Sequence, residues 1–466
     1  MTGIGASASA EHAELVLQGG PVLVMDAAGS RADAVAVAGG RILAVGTRDD
    51  VAPLIGAATR VIELDGRAVL PGINDSHLHA TWLGARWPHT FFGGHADGAQ
   101  IEGVLTGDRA ARRAAILRAG ELLSSFGITS LTEPGIGPGE DDGETGCFAG
   151  EVLDVYRELA EAGELRQRVT LLGLYGILDG PSRLDVVTAG ITELVDAQGG
   201  SDPEWLRIAG IKIFGDLIPL SKQAWSSRPY DDGTHGGLLV EGETLEAQAE
   251  ALREMVRAGH RACLQVGVHA TGDRTIEVVL DAVASAADEP GAPHPRDLGH
   301  YVIHGDLATP EQVARIAELG MWFNSQPGIA VTTADWMAGV LGADVAPWPY
   351  AVALDAGVLV LSSDAPILAP DWRETVAAAE AWIRRGGAPA DPAAAAARLH
   401  GLLRAHTAVP AQQDRAADWK GTVEAGKVAD LVVLAQDPFA VGAAGLPGVE
   451  IDLTVLDGNV VFERES

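Results

Sequence analysis

The sequence is poor in cysteine, in basic charge and in long apolar runs. Only Cys147 and Cys263 occur in 466 residues. Two thiols are too few for a disulfide framework, and a reduced, cytoplasmic chain is the simplest expectation. Lysine and arginine together number 33 against 64 acidic side chains, a formal net charge of -31. A surface of that sign repels a phosphate backbone, which excludes nucleic acid as a partner and leaves solubility as the use of the charge. No apolar run approaches the ~20 residues that a membrane helix requires. The amino-terminal MTGIGASASAEHAELV has neither the basic nor the apolar region of a secretory signal, so no membrane association is expected.

What is present is a globular composition, 47% apolar and 21% charged, in a chain too long for one ordinary core. Up to about residue 69, short runs rich in Val, Ile and Leu are divided by Gly-Gly, Asp-Gly and Pro, the pattern of hairpin-linked strands. The same character returns from about residue 420. The two ends are therefore expected to form one small β-sandwich, residues 1–69 with 420–466, around an inserted domain of residues 70–419.

Inside the insertion, apolar runs alternate with helical stretches. Candidate strands are Val69–Asp75, Ile128–Glu133, Arg168–Tyr175, Ile208–Phe214, Cys263–His269, His300–His304, Met321–Gln326 and Val358–Asp364. The clearest helix is Thr309–Leu319: Thr309 reads as the N-cap, Pro310 as the first turn, Gln312 as the other half of a capping box and Gly320 as the stop. Strand and helix alternating eight times predict an α/β fold of (β/α)8 TIM-barrel type, with its functional groups at the C-terminal ends of the strands.

Those ends carry chemistry. The first strand runs into LPGINDSHLH, where His77 and His79, two residues apart, would point to one side if extended. Lys212 stands in the fourth strand, His269 and His304 close the fifth and sixth, and Asp364 closes the eighth. Singly, each histidine reads as a hydrogen-bonded core residue, Asp364 as a turn or cap, and Lys212 as a snorkelling amine. Together at one end of a barrel they read as a metal site. Imidazoles and carboxylates without thiolate suit Zn or Co, with Mn, Ni or Fe as further options. A lysine in an apolar strand has a depressed pKa, and its neutral amine could take up carbon dioxide to become an anionic, bridging carbamate.

Further residues face the same mouth. Glu133, ending the second strand, is expected to orient a ligand rather than bind the metal. Trp82 and Trp225, with Trp348 and other loop tryptophans, suggest an aromatic pocket for an apolar substrate. Tyr230 and His235, in RPYDDGTHGG, either contact substrate or steady their loop.

The phrases LPGINDSHLH, GIKIFGD, QVGVHATGDRTIEVVLDA, VIHGDL, LSSDAP and GTVEAGKVADLVVL, in this order, resemble the amidohydrolase superfamily of metal-dependent hydrolases. Within it they are similar to the amidohydrolase-3, YtcJ-like branch that includes N-substituted formamide deformylases. Composition also suits relatives acting on phenylureas or thiocarbamates. The resemblance implies two divalent metal ions, with His77, His79 and Asp364 on the more buried one, His269 and His304 on the second, and N6-carboxylated Lys212 bridging. It implies a metal-bridging hydroxide that attacks an amide, formamide, urea or (thio)carbamate bond of a small molecule. Asp364 is then general base and acid, and the chain is a homo-oligomer. The loop DLIPLSKQAW and Ile303 depart from the family pattern where substrate would be gripped. Alternatives are a mononuclear deaminase with unmodified Lys212, or a barrel kept as a scaffold without catalysis.

Overall fold

The computed structural model describes residues 12–92, 103–197 and 199–465. Residues 1–11, part of the stretch read for a secretory signal, lie outside them. Among the described residues no helix is long and apolar enough to cross a membrane.

The chain ends build one mixed sheet. Its strands are β1 (Ala13–Leu23), β2 (Arg31–Ala38), β3 (Arg41–Gly46), β4 (Ile55–Glu63) and β5 (Ala68–Pro71), joined later by β14 (Leu431–Leu434), β15 (Ile451–Leu456) and β16 (Asn459–Glu463). The order is β16-β15-β14-β5-β1-β2-β3, with β4 also paired to β1. Leu15, Leu17, Val35, Val37, Leu431, Val433 and Val455 share one buried cluster. The two ends of the chain thus close a common core.

The barrel strands are β6 (Ile73–Asp75), β7 (Ile128–Ile136), β8 (Arg168–Leu174), β9 (Leu206–Phe214), β10 (Gln265–Ala270), β11 (Tyr301–His304), β12 (Trp322–Ser325) and β13 (Leu359–Leu361). They form a second sheet in sequence order, all parallel. Every residue of β7, β8 and β10 is buried. Burial on both faces is why these strands read as unbroken apolar runs rather than alternating ones. The two edge strands meet through the segments that follow them: Ser363 N–H donates to Asp75 Oδ1 at 3.1 Å, and Asp364 N–H donates to the His77 carbonyl at 2.8 Å.

The predicted first strand, Val69–Asp75, is two strands in two sheets. β5 pairs with β14 of the mixed sheet, and β6 begins the barrel. Gly72 lies between them, where a Cβ would stand 2.0 Å from Thr129 Oγ1. The remaining seven runs are the other barrel strands. The predicted capping box is present: the Thr309 hydroxyl accepts from Gln312 N–H, Gln312 answers, and Gly320 stops the helix at φ 73°.

Candidate metal centre

His77 and His79 do not alternate along a strand. β6 stops at Asp75, and both histidines sit in the turn that leads into the helix Ala80–Arg86. The turn achieves what strand geometry was expected to: both Nε2 atoms approach Asp364 Oδ1, at 3.3 and 3.5 Å. The turn is fixed on the far side as well, because His79 N–H donates to the Ala365 carbonyl at 2.8 Å.

The other imidazoles follow around the mouth. The ring of His304 lies 5.2 Å from that of His77 and 4.5 Å from that of His269. His269 packs on Phe214 at 5.2 Å, and Lys212 Nζ stands 4.9 Å from the same Phe214 ring. All six sequence-predicted ligands, His77, His79, Lys212, His269, His304 and Asp364, line one cavity of about 250 Å³. Donor atoms of His77, His304 and Asp364 lie within 4.8 Å of one another, close enough for one ion.

Two of these residues are held in a backbone conformation that side chains disfavour. His304 has φ 70° and Asp364 φ 57°, in the left-handed region that costs a non-glycine residue of order 1 kcal/mol or more. Surrounding hydrogen bonds hold them there. The His304 carbonyl accepts from Ser325 Oγ at 2.6 Å, and Asp364 N–H is taken by His77.

Burial sets the protonation of the site. It drives His77 and His269 well below the ordinary imidazole range, and His79 and His304 to about 3, with the Lys212 charge adding to the effect. The four rings are therefore neutral lone-pair donors at pH 7. Burial also lowers Lys212 to about 8, against the pull of Asp364 and Asp179.

The donor set suits a hard or borderline divalent cation. His269 Nε2 is buried without a hydrogen-bond partner among the described residues, so a ligating atom has been left uncommitted. His304 is oriented: its Nδ1 lies 2.7 Å from Gln326 Oε1. The amide of Gln326 is turned by its Nε2 donating to Ser362 Oγ at 2.9 Å, so Oε1 accepts, Nδ1 donates, and Nε2 of His304 carries the lone pair.

Among the described residues, Glu133 is joined by no hydrogen bond to any of the six. It is fully buried, accepts from the Tyr156 hydroxyl, and lies against the Ala80 and Thr81 amides, so it anchors the start of the helix after His79. Desolvation raises its carboxyl to about 7. Among the residues expected to grip substrate, Trp82 lines the cavity, as does Trp348. Trp225, Tyr230 and His235 do not, because their loop is fastened to itself. Trp225 N–H donates to Asp216, the Tyr230 hydroxyl to the Ala224 carbonyl, and His235 Nδ1 pairs with the Ser226 carbonyl.

Sequence reasoning missed Asp306, Asp179 and Gln326, all lining the cavity. Asp306 accepts from Trp348 Nε1 at 3.0 Å, and desolvation raises it to about 7. Its position two residues after His304, and that of Gln326 at the end of a predicted strand, were the available signals.

A parallel eight-stranded barrel with imidazoles and a carboxylate converging at its C-terminal mouth defines a metal-binding (β/α)8 protein. The chain belongs to the Amidohydrolase family, whose profile matches residues 93–462. The matched stretch begins after His77 and His79. The chain is 29% identical over 317 residues to an N-substituted formamide deformylase of Arthrobacter pascens, covering 67% of this chain and 55% of that protein. It is 26% identical over 270 residues to YtcJ of Bacillus subtilis (strain 168), covering 56% and 48%. The chain thus spans about half the length of these curated relatives. An uncharacterized metal-dependent hydrolase from Pyrococcus furiosus has the same fold, with a TM-score of 0.67 at 20% identity over 91% of this chain and 99% of that one.

Proposed function

We propose that this cavity hydrolyses an amide, formamide, urea or (thio)carbamate-type bond of a small, largely apolar molecule with the help of two divalent cations, zinc or cobalt foremost. One observation carries the reading: four neutral imidazoles, an amine and a carboxylate line a single, mainly apolar cavity. When bound, the cations would supply Lewis acidity, making water acidic and polarising a carbonyl oxygen. His77 and His79 with Asp364 would hold one, His269 and His304 the other, and carboxylated Lys212 would be shared.

The remaining work belongs to the chain. Asp364 Oδ1, between two neutral imidazoles, takes the proton of the attacking water and returns it to the departing nitrogen or sulfur. Gln326 keeps His304 in one tautomer. Trp82, Ile218, Leu220, Met337 and Trp348 form a wall that seats an apolar group and excludes bulk water. The named activity of the Arthrobacter pascens relative, on N-substituted formamides, supports a C–N bond as the one cut.

A one-cation deaminase is the second reading, and one observation favours it: His77, His304 and Asp364 alone make a set that a single ion would satisfy. Elemental mass spectrometry on protein purified without chelator, grown with carbon dioxide, separates the two. Two equivalents per chain, with turnover of N-formyl amines, anilides, ureas or thiocarbamates, supports the hydrolase. One equivalent with ammonia release supports the deaminase, and a chain that retains no added zinc or cobalt refutes both.

A further inference from the structure

A second cavity, of about 390 Å³, opens at the other end of the barrel. Arg207, Arg415, Cys263, Ser201, Leu206 and Ile208 are among its lining residues. Arg207 is the second residue of β9, five before Lys212, and Cys263 lies two residues before β10. The cavity is therefore beneath the strands whose upper ends carry Lys212 and His269.

Most lysines and arginines of the described residues pair with a carboxylate, and the two arginines of this cavity do not. No ion pair joins either to a carboxylate among the described residues. Arg207 donates to the Asp414 carbonyl, and Arg415 reaches the Asp297 carbonyl at 3.5 Å. The carboxylate that acts electrostatically on both, Asp414, is already taken, by Lys420 Nζ at 2.7 Å and Asn74 Nδ2 at 2.7 Å. Both guanidiniums are partly buried, and they repel each other, so that Arg415 is pushed down to about 10 by burial and by Arg207. Two converging cations cost stability unless an anion sits between them. Among the described residues, Asp414 is the carboxylate that acts on both, and its bonds to Lys420 and Asn74 leave the two guanidiniums without a hydrogen-bonded anion of their own.

We propose that this basal cavity binds a small molecule bearing a phosphate or carboxylate group, held by the forks of Arg207 and Arg415. Planar guanidiniums match such oxyanions in bidentate fashion. The cavity is of a size that accommodates an organic ligand rather than a bare ion, and Leu206 and Ile208 give its apolar part a wall. The site is separate from the metal-lined cavity and does not depend on the reaction proposed there.

The test uses the metal-loaded full chain, titrated calorimetrically at low ionic strength with pyrophosphate, adenosine monophosphate and citrate. Saturable binding is expected for at least one of them. Arg207→Gln and Arg415→Gln should each weaken it by roughly ten-fold or more, as expected for loss of a charge-assisted contact, and the double variant should abolish it. Arg31→Gln, in a surface pair with Asp437 and outside the cavity lining, should leave it unchanged. Preference for the phosphates or for citrate tells the two ligand classes apart. Occupancy should also slow alkylation of Cys263, since Cys147 is buried and silent; this readout remains if the double variant folds poorly, with Arg415→Lys as the milder change. Absence of saturable binding by all three anions overturns the proposal. So does binding that persists undiminished in the double variant, which would place the anion on the metals instead.

Discussion

Acid should weaken this protein through a buried histidine pair remote from the metal centre. His300 is completely buried, its Nδ1 accepts from Val266 N–H at 3.0 Å, and its Nε2 lies 3.0 Å from His260 Nδ1. Because Nδ1 is an acceptor, the ring proton is on Nε2 and is donated to His260. Protonating His300 would turn Nδ1 toward Val266 as a second donor, and no bond would survive there. Burial and the neighbouring His260 and Arg415 charges lower it to about 3. The folded value lies below the unfolded one near 6.5, so stability is fully present above pH 6.5 and is lost as pH falls toward 3. Between pH 7 and pH 5 the loss from this one ring is about 2 kcal/mol. Urea unfolding across that range measures it, comparing the parent with His300→Asn, whose side-chain oxygen can still accept from Val266. The variant's absolute stability drops out, since the slope is the readout. The parent should lose about 2 kcal/mol more than the variant; parallel pH profiles would refute the assignment.

Three further outcomes follow from the site and its supports. Gln326→Leu removes the partner of His304 Nδ1 and should weaken metal binding by roughly 10- to 100-fold, read by chelator competition. Asp364→Asn should retain metal yet lose turnover by about 10²-fold or more in a stopped assay on the substrate found, and full activity would remove the assigned proton-transfer role. Arg168 on β8 is bound by both oxygens of Asp430, next to β14, at 2.7 and 3.1 Å, both side chains almost wholly buried. Asp430→Asn leaves that guanidinium Asp457 as its remaining carboxylate partner among the described residues, so unfolding free energy should fall by about 3 kcal/mol, and denaturant titration would show whether the mixed sheet and barrel depend on this pair.

The barrel was legible because each strand buried on both faces leaves an apolar run, and each helix between them carries its own punctuation, as Thr309, Pro310 and Gly320 do. The six cavity residues were legible for a related reason: a histidine, lysine or aspartate interrupting such a run stands out. Gln326 interrupts one equally well, but a neutral amide is a weak ligand for zinc or cobalt beside imidazole and carboxylate, and its use appears only once the His304 ring is placed against it. The division at Gly72 was not legible, since nothing in Ala68–Pro71 or Ile73–Asp75 says which sheet each joins, and only pairing with β14, far along the chain, assigns the first to the other sheet. Trp225, Tyr230 and His235 show the limit for loops. Residue type suggested a pocket, while their actual partners are carbonyls and a carboxylate that the order of residues does not announce.

Burial and backbone strain work in one direction at the candidate metal centre. Burying an imidazole removes its proton, and a neutral ring with an uncommitted nitrogen, as in His269, gains more from a cation than from any group the fold supplies. Holding His304 and Asp364 at positive φ costs stability. Asp306, Asp179 and Asp364 share the cavity with a single amine, Lys212, so the polar part of its lining is richer in carboxylate than in permanent cation. The desolvated rings and the excess of carboxylate are unfavourable for the chain alone and would be offset by a bound cation, and the strain at His304 and Asp364 is the cost of aiming two of its ligands. A scaffold with no use for metal would gain stability by replacing the strained and desolvated groups with apolar ones of similar size. Their joint presence on five separate strand ends is the strongest physical argument against a barrel kept only as a scaffold.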